Sequence, residues 1–282
     1  MIRYLSVLSL FLLLLIGLDE NHQSVHKEYM VLAPYSPQGS VGLAFSYGVC
    51  SDLEKLNITD RGGWYYRWWD EPPCPNLSTE HVPMWAWEEQ DTFYYSSEYK
   101  GYALFLNEPD RPDQSNLTPV QAAIKWVEFK TLCPYCRSIV LNVSRCDATY
   151  YYAEWRTAVY NLTGSYPDIA GIGCHLYGSK TSILAQIPAM VNWMNSVGWS
   201  DKQLWITEFA RTYVYNGIQY SSADLQAIIN EFEHHPRINR FAYYPVRFCN
   251  TGTCNNALFV GSSTTNLTPN GTIYANGSNG YP

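Results

Sequence analysis

The sequence predicts an α/β protein, specifically a (β/α)8 TIM barrel with some short or missing helices. Three observations carry that expectation. Eight short apolar runs of strand length recur between residues 41 and 247, and from the fourth onward they alternate with segments of helical periodicity. That alternation is what builds a parallel sheet covered by helices. The chain has 282 residues, a normal length for one such barrel. Hydrophobic residues make up 46% and charged residues 15%, which supplies a large core and excludes a largely disordered chain.

Taken in order, the chain opens on Arg3 and the apolar run Leu5 to Leu18, closed by Asp19 and Glu20. This run is short for a membrane span and reads as a signal peptide over residues 1–18. An uncleaved anchor is the alternative, because no A-x-A pattern follows. Residues 19–40 are polar and then carry Pro34, Pro37 and Gly39, the composition of a linker. The barrel is placed over residues 41–282. VGLAFSYG (Val41 to Gly48) is its first strand, GGWYYRWW (Gly62 to Trp69) the second and HVPMWAW (His81 to Trp87) the third. DEPPCPNLSTE, between the second and third, holds three prolines and reads as a loop. GYALFLNE is the fourth strand. A helix over Pro119 to Leu132 follows, with Pro119 suited to its first turn. SIVLNV is the fifth strand, Ala148 to Leu162 a helix, and IAGIGCHLYG (Ile169 to Gly178) the sixth strand. Ser182 to Val197 has helical periodicity despite Pro188. KQLWITEFA (Lys202 to Ala210) is the seventh strand, Ser222 to His234 a helix, and NRFAYYPVR (Asn239 to Arg247) the eighth strand. The tail after Gly261 is rich in Ser, Thr, Asn and Gly and reads as partly loose.

The chemistry concentrates at two strand ends. In GYALFLNEPD, Pro109 cannot continue a central ladder, so the strand stops at Glu108 with the Asn107 amide beside it. KQLWITEFA likewise delivers Glu208 near the end of an apolar strand. Carboxylates at the C-terminal ends of two barrel strands are what acid/base and nucleophilic work on a glycosidic bond requires. The net charge of −7 and the absence of a basic run disfavour nucleic acid and favour a neutral ligand. The 24 Tyr and 10 Trp offer flat faces for sugar rings, though they equally fill cores. No ligand cluster calls for a metal, and no cofactor is expected.

Eight cysteines fit an oxidising compartment. Cys133-Pro-Tyr-Cys136 resembles a redox motif, but it follows a helix and precedes a strand, the reverse of the order a redox motif needs. Structural disulfides are expected instead. Cys133–Cys136 and Cys249–Cys254 are close enough in sequence to pair locally. Cys50 and Cys74 follow the first and second strands and pair across the barrel's catalytic face, which leaves Cys146 with Cys174. Asn57, Asn76, Asn116, Asn161, Asn266, Asn270 and Asn276 begin glycosylation sequons. Asn142 also matches, but it falls in an expected buried strand.

The motifs WYYRWW, VPMW, LNEPD, His175-Leu176-Tyr177-Gly178, LWITEFA, RFAYY, NALF and LTPNG together resemble glycoside hydrolase family 128, in the clan of retaining barrel glycosidases. The likeness runs over nearly the whole chain from Val41. It implies an alkali-sensitive-linkage type of endo-β-1,3-glucanase acting by double displacement. Glu108 would be the acid/base and Glu208 the nucleophile. Asn107 would hold the sugar 2-hydroxyl, and His175 and Tyr177 would line the same subsite. Trp68, Trp85, Trp87 and Tyr243 are the aromatic residues expected to bind substrate. The chain departs from the family at Ala86, Leu176 and Tyr243, where tryptophan is usual, and at Arg67 and Asp70, where smaller or neutral residues are commoner. The implied partner is a neutral β-glucan, with no nucleic acid and no stable membrane partner, and a monomer that is secreted or cell-wall associated is expected. A non-catalytic wall-glycan-binding barrel stands as the alternative. So does a clan relative acting on β-1,4-linked glycans or as a transglycosylase.

Overall fold

The computed structural model describes residues 40–45, 48–86, 92–95, 97–212, 218–247, 257–261 and 265–277. The expected signal peptide, nearly all of the linker, Trp87 and the Cys249–Cys254 pairing lie outside the described residues.

Nine parallel strands make one sheet: β1 (Val41–Ala44), β2 (Trp64–Tyr66), β3 (Glu80–His81), β4 (Met84–Trp85), β5 (Tyr102–Phe105), β6 (Arg137–Val143), β7 (Gly171–Tyr177), β8 (Gln203–Ala210) and β9 (Ile238–Tyr243). Their order is β3-β2-β1-β9-β8-β7-β6-β5-β4. The two end strands are separated in the chain by Val82 and Pro83 alone. On one side Val82 N–H donates to the Tyr65 carbonyl at 2.9 Å; on the other Leu104 N–H donates to the Pro83 carbonyl at 2.9 Å. Strands β3 and β4 are therefore two halves of the expected third strand, interrupted where proline has no N–H to give. The sheet closes on itself as an eight-strand α/β barrel.

The helices are α1 (Ser51–Lys55), α2 (Pro119–Leu132), α3 (Thr149–Thr163), α4 (Lys180–Ser196), α5 (Ser222–His234) and α6 (Pro269–Asn276). Helix α2 begins where its sequence dictates: Thr118 and Gln121 form a reciprocal capping box and Pro119 occupies the first turn. Helix α3 ends at Gly164 in the left-handed conformation that glycine adopts without strain. Over residues 265–277 the tail is ordered rather than loose. Thr268 caps Gly271, Pro269 opens α6, and the buried Tyr274 hydroxyl donates to the Gly42 carbonyl at 2.5 Å. A Thr-Pro start plus one buried aromatic anchor outweighed the polar composition.

Strand alternation sorts the aromatics. Trp64, Tyr66, Met84, Ala86, Tyr102, Leu104, Trp205 and Ala242 fill the barrel interior, with Trp68 and Tyr244 packed above them. Their sequence neighbours face the helices. Trp85 is 1% exposed and stacks on Phe105 at 5.7 Å, and Tyr243 is fully buried against Phe209 and Tyr274. The expectation that Trp85 and Tyr243 bind substrate is thereby corrected. Burying a side chain of this size is worth about 1.5–3 kcal/mol, and neither ring is free to meet a sugar. Lower in the interior, Arg240 pairs with Glu80 at 2.6 Å and its guanidinium lies 4.6 Å from the Trp205 ring and 4.8 Å from the Tyr102 ring. A charge this deep is tolerable only because it is paired and faced by aromatic π-systems.

Three disulfides form as expected: Cys50–Cys74, Cys133–Cys136 and Cys146–Cys174, with Cα separations of 5.6, 5.5 and 5.0 Å. Among the sequon asparagines, Asn142 and Asn270 are buried and closed to modification, whereas Asn57, Asn76, Asn116, Asn161, Asn266 and Asn276 are exposed.

Candidate active site

Two local distortions aim the glutamates. On strand β5, Tyr102 and Leu104 point inward, but Leu106 adopts φ +61° and Glu108 φ +42°. These left-handed residues end the strand at Phe105, earlier than the sequence suggests, and turn the Asn-Glu tip over the barrel. Each such residue costs on the order of 1–3 kcal/mol and persists only when its surroundings hold it. The holder is Asn142 at the tip of β6, itself at φ +43°. Its side-chain amide donates to the Leu106 carbonyl at 2.8 Å, and its own carbonyl accepts from Glu108 N–H at 3.0 Å. Asn142 therefore acts as a buried clasp, which explains an amide inside a hydrophobic strand.

The second distortion is in β8. Trp205 faces the barrel interior and Ile206 the helices, so simple alternation would turn Glu208 toward the helices. The register with β7 runs Cys174↔Ile206 and then His175↔Glu208, which leaves Thr207 as an extra residue. This bulge flips the face, and Glu208 points into the mouth while Phe209 returns to the outer core.

His175 lies between the two acids. Its Nδ1 is 2.9 Å from Glu108 Oε1 and 3.4 Å from Glu208 Oε2. One atom from each of Glu108, His175 and Glu208 can be chosen so that all three lie within 4.8 Å of one another, a donor set that would also accept a divalent cation. The Tyr177 hydroxyl donates to Glu208 Oε2, and the Tyr66 hydroxyl lies 3.4 Å from Glu208 Oε1. Asn107 is pinned on both sides: its Oδ1 accepts from Trp68 Nε1 at 3.0 Å and its Nδ2 donates to Gln114 Oε1 at 3.2 Å. Arg111 stands 3.7 Å from Glu108 Oε2 while held by Asp113. Tyr244 completes the wall, edge-on to Trp68 at 5.7 Å and to Tyr177 at 6.5 Å.

The electrostatics follow from burial. The Glu208 carboxyl is raised above its ordinary value by desolvation; positive charge on His175 opposes this and the Glu108 charge adds to it. Desolvation alone would depress His175, but the charges of Glu208 and Glu108 and the hydrogen bond it donates to Glu108 outweigh it and raise the imidazole. Burial pushes the Tyr66 and Tyr177 phenols well above their usual range, so both remain donors.

Of the residues expected from sequence, Glu108, Glu208, Asn107, His175, Tyr177 and Trp68 converge at the barrel mouth. Tyr66, Tyr244, Gln114 and Arg111 were not foreseen. Alternation offered a signal for two of them: Tyr66 shares a face with Trp64 and Trp68, and Tyr244 shares one with Arg240 and Ala242. Nothing local marked Gln114 or Arg111.

A closed parallel barrel with two buried glutamates meeting over its C-terminal mouth defines the class of α/β-barrel glycoside hydrolases. The chain belongs to the glycosyl hydrolase catalytic core family, whose model matches residues 42–274. No curated protein matches the chain. Among solved structures, it resembles a family 128 subgroup II endo-β-1,3-glucanase from Sorangium cellulosum (22% identity, TM-score 0.63, covering 84% of this chain and 98% of that one). It also resembles a subgroup I endo-β-1,3-glucanase from Amycolatopsis mediterranei in complex with laminaripentaose (17%, TM-score 0.62, 84% and 99%). A third is a subgroup VII oligosaccharide-binding protein from Trichoderma gamsii (16%, TM-score 0.62, 84% and 93%). These likenesses concern the fold.

Proposed function

We propose that this chain is a secreted endo-β-1,3-glucanase of glycoside hydrolase family 128 that cleaves with retention of configuration. The observation that carries the reading is the approach of Glu108 and Glu208 at the mouth, bridged by His175 Nδ1 at 2.9 Å from Glu108 Oε1 and 3.4 Å from Glu208 Oε2. Retaining enzymes hold their carboxyl groups roughly 5–5.5 Å apart so that one attacks directly, whereas inverting enzymes need roughly 6.5–9.5 Å to admit a water. The β-1,3-glucan substrate is supported by the family motifs and by the glucanases that share the fold. Secretion is supported by the apolar N-terminal run and by three disulfides.

In this mechanism Glu208, held by Tyr177, attacks the anomeric carbon while Glu108 protonates the departing oxygen. Glu108 then takes a proton from water, which displaces Glu208 from the sugar. His175 holds the two carboxylates in register and takes up part of their mutual repulsion. Asn107, fixed by Trp68 and Gln114, presents its amide toward the 2-hydroxyl, a contact that strengthens in the transition state. Tyr244 and Trp68 offer the aromatic faces, in place of the rings turned into the core. Because Trp68 also orients Asn107, Trp68→Ala should raise KM on laminari-oligosaccharides and also lower kcat, with Tm preserved. Unchanged kinetics would return Trp68 to a packing role.

The experiment that tests the function is hydrolysis of laminarin followed by NMR of the first-formed reducing end. The β-anomer appearing first is the expected result, and the α-anomer first would overturn the retaining assignment. Oligosaccharide binding without any hydrolysis would favour the binding-barrel reading, which the Trichoderma gamsii relative motivates.

A further inference from the structure

The mechanism above leaves unused the Tyr66 hydroxyl beside Glu208. Tyr66 is fully buried in the barrel interior, its ring stacked on Trp64 at 5.7 Å with 16° between planes and edge-on to Trp68 at 5.7 Å. Packing on both sides fixes where its hydroxyl points. That hydroxyl has a single proton and two acceptors: the Thr207 carbonyl at 2.9 Å and Glu208 Oε1 at 3.4 Å. Thr207 is the extra residue of the β8 bulge that turns Glu208 into the mouth. One phenol from strand β2 therefore touches both the distorted backbone and the carboxylate which that distortion presents. The other carboxylate oxygen, Oε2, is already held by Tyr177 and His175.

We propose that Tyr66 is a positioning residue for Glu208, a swivelling donor whose proton serves the free carboxylate and moves to the Thr207 carbonyl when Glu208 becomes bonded to sugar. The inference rests on the retaining role of Glu208. The chemistry asks for such a group. While Glu208 is ionised, its charge draws the phenolic proton to Oε1 and keeps the carboxylate from rotating. On attack, one carboxylate oxygen bonds to the anomeric carbon, the bond to the leaving oxygen breaks, and the proton of Glu108 goes to that oxygen. The carboxylate charge is spent in the resulting ester. The Tyr66 proton then has a stronger acceptor in Thr207, so the buried hydroxyl is never left unsatisfied. When water releases the sugar, the charge returns to Glu208 and the proton swings back, which stabilises the departing carboxylate. A fixed donor with a single acceptor would lose its bond in one of the two states.

The test is Tyr66→Phe, which removes the hydroxyl and keeps the ring that packs on Trp64. With wild-type activity on laminarin established, kcat is expected to fall about 10- to 100-fold with KM changed less than about threefold, the scale of a lost hydrogen bond to a charged group. With an activated aryl β-laminaribioside, a burst of phenol should precede a slowed steady state, because release of the sugar loses its donor. A 13C NMR titration of labelled glutamate provides a readout that packing alone does not move. The Glu208 carboxyl should titrate at higher pH in the variant, since a donor that favours its charged form is gone. Wild-type kcat together with an unmoved Glu208 titration would overturn the proposal. If the wild type does not hydrolyse β-glucans, the functional reading has failed, and the titration alone still decides whether Tyr66 holds Glu208.

Discussion

Glu208→Gly is expected to reduce laminarin hydrolysis by about 10,000-fold or more, because in the proposed mechanism Glu208 forms the glycosyl-enzyme, and removing one member of a catalytic unit disables the whole. The same variant should couple an α-laminaribiosyl fluoride to a β-glucan acceptor. The vacated space admits the fluoride on the face where the ester would stand, and Glu108 remains to deprotonate the acceptor. Retained hydrolysis would remove Glu208 from the nucleophile role. The companion variant Glu208→Gln tests the stability side. The folded-state pKa of Glu208 is raised by burial, so the folded protein holds its proton more tightly than the unfolded chain does. Its favourable contribution is full below the unfolded value of about 4.3 and is lost as pH rises through the folded value. Glu208→Gln should therefore match the wild type in Tm near pH 4 and exceed it at neutral and alkaline pH. His175 has a raised pKa whose contribution works in the same sense: it is full at low pH and lost as pH rises through the folded value. It depends on the Glu208 charge, so the advantage of glutamine is largest at alkaline pH, where His175 no longer carries a proton. A variant less stable than wild type at pH 9 would contradict this account of the buried carboxyl.

Glu108→Ala should lower activity on laminarin by about 100- to 10,000-fold, the range that general acid/base groups contribute. The loss should be far smaller for the first step with a dinitrophenyl glycoside, whose leaving group needs no proton. Release of the sugar would then be slow, because no base remains to activate water. Azide, which needs no base, should enter the space left by the side chain and accelerate turnover, giving a β-glycosyl azide. An α-azide, or no rescue at all, would show that Glu108 does not stand opposite the attacking carboxylate. The variant also leaves His175 Nδ1 without its 2.9 Å partner, so a modest fall in Tm is expected alongside.

Much of the candidate site was legible because its signals are local. Pro109 ends a strand beside Glu108 whatever the rest of the chain does, and the apolar runs before Glu108 and Glu208 are readable in a window of ten residues. Alternation along IAGIGCHLYG puts His175 and Tyr177 on one face and Cys174 on the other, and the structure agrees, down to the Cys146–Cys174 bridge on the outer side. The same rule applied to VPMWAW and RFAYY would have returned Trp85 and Tyr243 to the core and brought Tyr244 forward. Ala86, where the resemblance leads one to expect tryptophan, faces the barrel interior, while Trp85 and Tyr243 face the helices.

The amino-acid order by itself determined the parallel α/β alternation, the caps of helices such as α2, the pairing of nearby cysteines and the glutamates that end two of the strands. Each of these rests on interactions within a few residues, or on a periodicity that the chain carries along its length. Tertiary structure alone decided where those acids point. The Thr207 bulge exists only as a register between β7 and β8, and the left-handed turn at Leu106 and Glu108 is held by Asn142 from another strand. Both are compromises between strands distant in sequence. The energy that holds them comes from hydrogen bonds and burial made after the barrel closes, and no window of the sequence contains both partners.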